Sequence, residues 1–119
     1  MELSKVEIIT SMAKVSALQE AFGRFGITGM TVTQVMGCGV QLGTQEYEVD
    51  KKTIPSLLEK QCVMVVLPTK DVDHFLEFLK KELYTGHIGD GKIFIFPVSN
   101  VVRVRTGEEG VEALLEGNL

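Results

Sequence analysis

An α+β sandwich is the fold class that this 119-residue sequence predicts. Three observations lead there. Three runs are rich in β-branched residues, at 6–10, 31–35 and 62–67. Two other segments, 13–25 and 71–83, carry apolar residues at spacings of three and four, the period of an amphipathic helix. The two kinds alternate as strand, helix, strand, long loop, strand, helix, strand. The length suits one domain spanning 1–119. With 45% hydrophobic residues, 7% aromatics and no tryptophan, the core is expected to be aliphatic in character.

Val6-Glu7-Ile8-Ile9-Thr10 is the first predicted strand, with Leu3 as its outer limit. In the first helix Val15, Leu18, Phe22 and Phe25 share one face, and Gly26 is placed to stop it. Thr31-Val32-Thr33-Gln34-Val35 alternates as a second strand. From Gly37 to Lys52 neither period holds, so a polar loop is expected. Loops beyond about 12–15 residues in a compact domain are usually functional or disordered. Cys62-Val63-Met64-Val65-Val66-Leu67 is apolar enough to predict a strand buried on both faces. In the second helix Val72, Phe75, Leu76, Leu79 and Leu83 line one side. Residues 92–96 and 101–104 are the last predicted strands. The tail, 107–119, is acidic, with a short helical turn expected around 111–115. This order is the split βαβ, ferredoxin-like plan, with both helices on one face of the sheet. Strands rich in Val and Ile on both sides imply that the other face is also covered, hence an oligomer.

Composition excludes several functions. A net charge of −4 argues against a general nucleic-acid binder, which carries a basic face. Cys38 and Cys62 have neither metal-pair spacing nor the density of a disulfide framework, and read as free thiols in a reducing cytoplasm. The chain opens with no apolar signal segment, and no run approaches the ~18 apolar residues of a membrane span. His74 and His87 stand apart, whereas zinc needs three or four converging ligands, so no metal site is predicted. Glu46, Glu48 and Asp50 in the loop, and Glu108, Glu109 and Glu112 in the tail, read as solvated acids.

The chemistry concentrates in Thr85-Gly86-His87-Ile88-Gly89-Asp90-Gly91-Lys92-Ile93-Phe94. Glycines let backbone N–H groups approach an anion, and a lysine adds a point charge. Gly86 to Lys92 matches G-x-x-x-x-G-K, but Ile93 stands where a P-loop needs Ser or Thr, and a strand follows instead of a helix. A P-loop NTPase is thereby disfavoured, leaving a phosphate cradle of another kind or a glycine-rich hairpin turn without a ligand. Downstream, Val102-Arg103-Val104-Arg105-Thr106-Gly107 sets two arginines two residues apart. On a strand that spacing points both guanidinium groups to one face.

Three segments together, 26–32, 85–94 and 102–108, closely resemble the PII signal-transduction proteins, trimeric cytoplasmic sensors of nitrogen and energy state. The middle segment matches that family's C-terminal signature, and the likeness runs along nearly the whole chain. The resemblance implies a ferredoxin-like homotrimer that binds ATP or ADP between subunits. It places Thr31, Gly37, Cys38, Gly39, Val40, Gln41, Val66, Gly89, Asp90, Gly91 and Lys92 at the nucleotide, with Arg103 and Arg105 arriving from the neighbouring subunit. Glycine amides and Lys92 would take phosphates, the arginines would grip them bidentately, and Asp90 would order the turn. Gln41 and Lys60 stand where the family holds 2-oxoglutarate, Gln41 through a Mg2+ ion. Read from the residues alone they are an ordinary loop glutamine and a solvated strand-edge lysine. The region 37–60 corresponds to the family's T-loop, the arm that docks into a target protein. It departs from the usual pattern: Cys38 replaces a phenylalanine, Val40 a phosphate-contacting arginine, and Thr53 the modifiable tyrosine. Uridylylation chemistry is therefore not expected. A regulator is the reading this supports. A slow ATP-hydrolysing enzyme lacks a visible nucleophile–base pair, and a trimeric scaffold without nucleotide would not need Lys92, Arg103 and Arg105 together.

Overall fold

The structure is a computed structural model and describes residues 2–27, 29–38, 57–86 and 91–115. Its elements run β1 (Leu3–Thr10), α1 (Met12–Phe25), β2 (Thr31–Cys38), β3 (Leu57–Pro68), α2 (Val72–Leu83) and β4 (Lys92–Val98). Single turns of 3-10 helix cover Thr69–Asp71, just ahead of α2, and Gly110–Leu114. The four strands form one sheet in the order β2-β3-β1-β4, with every pair antiparallel. This is the expected ferredoxin-like βαββαβ architecture.

Register decides which side chains meet the helices. Val6 pairs with Val65 and Ile95, and Ile8 pairs with Val63 and Ile93. Partners across a ladder point to the same side, so Val6, Ile8, Val63, Val65 and Leu67 form one apolar floor. Leu18 and Phe22 of α1 and Val72, Phe75, Leu79 and Leu83 of α2 close over it. Burying each such side chain contributes roughly 1.5–3 kcal/mol. Phe75 is fully buried and lies 5.5 Å from the Phe22 ring and 5.2 Å from the Phe25 ring, edge-on to the latter. Helix α1 ends where expected. Gly26 takes φ 103°, its N–H reaches the Gly23 and Phe22 carbonyls, and Ile27 N–H bonds Phe22 O at 2.9 Å. That left-handed closure favours a residue without Cβ.

Four expectations need correction. The third strand is not buried on both faces: Gln61, Val63, Val65 and Leu67 are buried, while Cys62, Met64 and Val66 between them are only half-buried. The two helices cover a single face, so the apolar run of β3 alternates like any half-covered strand. The region 37–60 is not all loop, because Gly37 and Cys38 continue β2 and Leu57–Lys60 begin β3. Cross-strand pairing (Gly37 with Leu58, Cys38 with Leu57) holds residues whose sequence shows no period. Helix α2 starts at Val72 rather than Asp71, which belongs to the preceding 3-10 turn. Finally, 101–104 is no strand: Val102 makes one isolated bridge to Glu109. Gly107 N–H bonds Arg103 O at 2.7 Å and Arg103 N–H bonds Glu108 O at 2.8 Å. Gly107, at φ 76°, permits this tight reversal. The two arginines therefore do not share a strand face.

Candidate functional site

One end of the sheet carries a cavity of about 630 Å³. Strand β2 begins at Thr31, opposite Met64, so Val65–Pro68 of β3 have no β2 neighbour and the cavity opens in that gap. Met30, Thr31, Met64 and Val66 line it from the sheet side, and Ala113, Leu114 and Leu115 from the tail. The walls are mainly apolar, with Arg103 as the cation and Asp71 as an acid. Apolar walls with few polar groups suit a flat heterocycle carrying an anionic substituent.

Arg103 is built in, with only 13% of its side chain exposed. Its Nη2 donates to the carbonyls of Ala113 and Leu115, both at 2.7 Å. Its Nη1 is buried with no hydrogen-bond partner among the described residues, and the Glu108 carboxylate lies 3.9 Å away. A buried donor left unbonded is costly and invites an acceptor. Glu108 and Glu109 are not merely solvated, as expected from sequence: Glu109 accepts from Asn100 Nδ2 at 2.6 Å. Asn100 Oδ1 in turn accepts from Val101 N–H at 2.9 Å and Gly110 N–H at 3.2 Å. These contacts fold the tail back onto the cavity. Arg105 lies in the exposed turn.

The remaining expected residues stand elsewhere. Lys92 opens β4 opposite Ile9 and is exposed. Gly91 before it takes φ 115°, and a Cβ there would lie 2.6 Å from the Ile9 carbonyl oxygen. Only glycine lets the chain enter β4 so close to β1. Gly37 packs against the Lys60 stem, with Lys60 Cγ 3.4 Å from where its Cβ would be. Gly39, Val40, Gln41, Gly89 and Asp90 lie outside the described residues. Register gives the spacing: Val66 aligns with Lys5 and so with Phe96, four residues along β4 from Lys92 and two strands over. At about 3.3 Å per residue and 4.8 Å per strand, Lys92 and Val66 are roughly 16 Å apart. One protomer thus brings Thr31, Val66 and Arg103 together at one end and sets Gly37, Lys60 and Lys92 at the other. Arg103 lines the same cavity as Thr31 and Val66 of its own chain, which departs from the expected division between subunits.

The sheet face away from the helices carries Lys5, Glu7, Cys62, Met64, Phe94 and Phe96, with Phe94 45% and Phe96 39% exposed. Lys5 bridges Glu7 at 3.1 Å and sits 4.6 Å above the Phe96 ring. Burial pushes the Cys62 thiol up from its ordinary range, the Glu7 carboxylate adds to this, and Lys5 partly opposes it. His74 is exposed and packs 5.2 Å from the Phe25 ring. Among the described residues no group of three or more His, Cys, Asp or Glu is placed to hold a metal. Sequence reasoning missed the tail as a cavity wall. The signal was present in the apolar spacing of Val111, Leu114 and Leu115.

Three comparisons bear on this geometry. The family model described as "Nitrogen regulatory protein P-II" matches residues 3–108. The nitrogen regulatory PII-like protein of Bacillus subtilis (strain 168) is 39% identical over 113 residues, covering 95% of this chain and 97% of the relative. Among solved structures, the B. subtilis GlnK–ATP complex superposes with a TM-score of 0.78 at 38% identity, covering 95% of this chain and 98% of the other. Arabidopsis thaliana PII bound to citrate gives a TM-score of 0.76 at 33% identity, with 94% and 92% covered.

Proposed function

Since the chain belongs to the nitrogen regulatory protein P-II family, we propose that it binds ATP or ADP between the subunits of a homotrimer and signals energy or nitrogen state to a target protein. The relatives it matches are regulators by name, and the reading is of a regulator acting in the cytoplasm. Among the described residues no helix is long and apolar enough to cross a membrane.

The observation that carries the proposal is the separation of the cations. Arg103 lines an apolar cavity with one buried nitrogen lacking a hydrogen-bond partner. Lys92, placed by Gly91 at the start of β4, stands at the far end of the sheet. On this reading a polyphosphate gripped by both would lie between two copies of the chain, with the Lys92 end of one against the Arg103 end of its neighbour. The exposed Phe94 and Phe96 on the helix-free face supply apolar surface for such an assembly. Thr31 and Val66 would flank the base. Gly37, Cys38, Gly39, Val40, Gln41, Gly89, Asp90 and Gly91 would follow the phosphates of the facing copy, and Arg105, in the turn after Arg103, would add a second guanidinium. Lys60, beside Gly37 and next to the 39–56 segment, is placed to meet a carboxylate such as 2-oxoglutarate, with Gln41 and Mg2+ completing that site. Ligand-dependent docking would then follow from differential affinity for two states of the region 37–60.

The test is calorimetry with ATP, ADP, AMP and cyclic AMP, with and without Mg2+ and 2-oxoglutarate, alongside sedimentation equilibrium. Saturable ATP or ADP binding by a three-protomer species supports the proposal. A monomer, or a trimer that binds no adenine nucleotide, overturns it.

A further inference from the structure

The guanidinium of Arg103 is asked to do two things at once. Its Nη2 carries two N–H groups, and both are occupied, one by Ala113 O and one by Leu115 O. Guanidinium groups hold phosphate through two parallel N–H donors. Of the two forked edges, one pairs Nε with Nη2 and the other pairs Nη1 with Nη2, so each needs Nη2. Nη1 alone offers only a single contact.

The clasped segment is short. Gly110–Leu114 is a single 3-10 turn with no side-chain cap, and its closing bond from Leu115 N–H to Glu112 O is long, at 3.3 Å. Such turns are marginal alone. Among the described residues beyond Gly110, whose N–H is bonded to Val101 O at 2.9 Å, Ala113 is buried while Leu115 is 49% exposed. The two Arg103 bonds tie this segment, which is also one wall of the cavity, to the guanidinium.

We propose that a phosphate group and the segment 110–115 exclude one another at Arg103, so that a nucleoside di- or triphosphate entering the cavity releases the C-terminal segment. An anionic acceptor makes the stronger bond to a guanidinium than a neutral carbonyl does, which sets the direction of the exchange. This rests on the nucleotide reading above and adds to it the part of the chain that moves. Release uncovers Ala113 and the half-buried Leu114, so occupancy is reported at the tail.

The test is hydrogen–deuterium exchange of the 110–115 peptide in the full chain, with ATP saturation established by calorimetry on the same sample. Amides of 110–115 are expected to exchange about tenfold faster or more at saturation, the change that loss of one charge-assisted bond produces. Saturation with unchanged or slowed exchange overturns this inference and leaves the nucleotide reading standing. Absence of any ATP binding overturns both. Arg103→Lys supplies the second arm, because one ammonium cannot reproduce the paired clasp. Its 110–115 amides should exchange fast without ligand and respond no further to ATP. A segment that stays protected in Arg103→Lys refutes the proposal.

Discussion

Gly91→Ala separates two reasons for a glycine. The residue sits at φ 115°, and an added Cβ would meet Ile9 O at 2.6 Å, Thr10 Cβ at 3.3 Å and Thr10 Oγ1 at 3.4 Å. The left-handed conformation alone costs an L-residue about 1–2 kcal/mol. The clash with a backbone oxygen cannot be relieved by turning a side chain, so β1 and β4 must part locally, at about 1 kcal/mol for a weakened ladder bond. Together about 2–3 kcal/mol is expected, or roughly 8–12 °C in Tm for a domain of this size. Gly26→Ala is the internal control. Its φ of 103° imposes similar strain, but nothing lies within 4 Å of the new Cβ. It should cost about 1–2 kcal/mol, the conformational part only. Thermal unfolding of both variants at one protomer concentration gives the comparison, since assembly makes Tm concentration-dependent. If the two variants melt together, the close approach of Gly91 to β1 is not what fixes that residue, and the account of how Lys92 is placed fails with it.

On the proposed reading, Lys92→Ala should weaken ATP binding about tenfold or more by calorimetry while leaving Tm nearly unchanged, because the side chain is exposed and its charged bonds would form to the ligand. Phe75→Ala, which removes a fully buried ring between Phe22 and Phe25, should cost about 3–5 kcal/mol in denaturant unfolding. Cys62 should alkylate more slowly than exposed Cys38 at mildly alkaline pH, read by peptide mass spectrometry, since burial and Glu7 raise its pKa. The sign for stability follows. The fold favours the neutral thiol, so this contribution is full below the ordinary thiol range and is lost as pH rises through the folded value. Cys62→Ser should therefore show a shallower alkaline decline in unfolding free energy.

Legibility in the sequence tracked where physical information sits in side chains. The apolar spacing of α2 placed Val72, Phe75, Leu79 and Leu83 on the buried face. Gly26 announced the end of α1 because left-handed closure needs glycine. The β2–β3 pairing beyond Val35 was illegible, since Gly37-Cys38 and Leu57-Leu58-Glu59-Lys60 are ordered by each other's backbones. Alternation in Val102-Arg103-Val104-Arg105 suggested a strand, yet Gly107 turns the chain back before a ladder can form. Thr31, Val66 and Arg103, which line the cavity, were singled out from the sequence as nucleotide contacts, but with Arg103 assigned to the neighbouring subunit. The clasp on the tail was not, because its acceptors are main-chain carbonyls, which every residue possesses.

Strand β3 outruns its central neighbour. β1 ends at Thr10 opposite Gln61, while β2 and β3 stay paired through Leu57. Four further residues of ladder, about 13 Å at 3.3 Å each, therefore stand out as a two-stranded cantilever. Whatever tilts its root is geometrically magnified at the tip, about 2 Å for every 10° over that length. Because Lys60 is the first ladder residue beyond Gln61, a small change in angle at that root is carried outward along the whole projecting length.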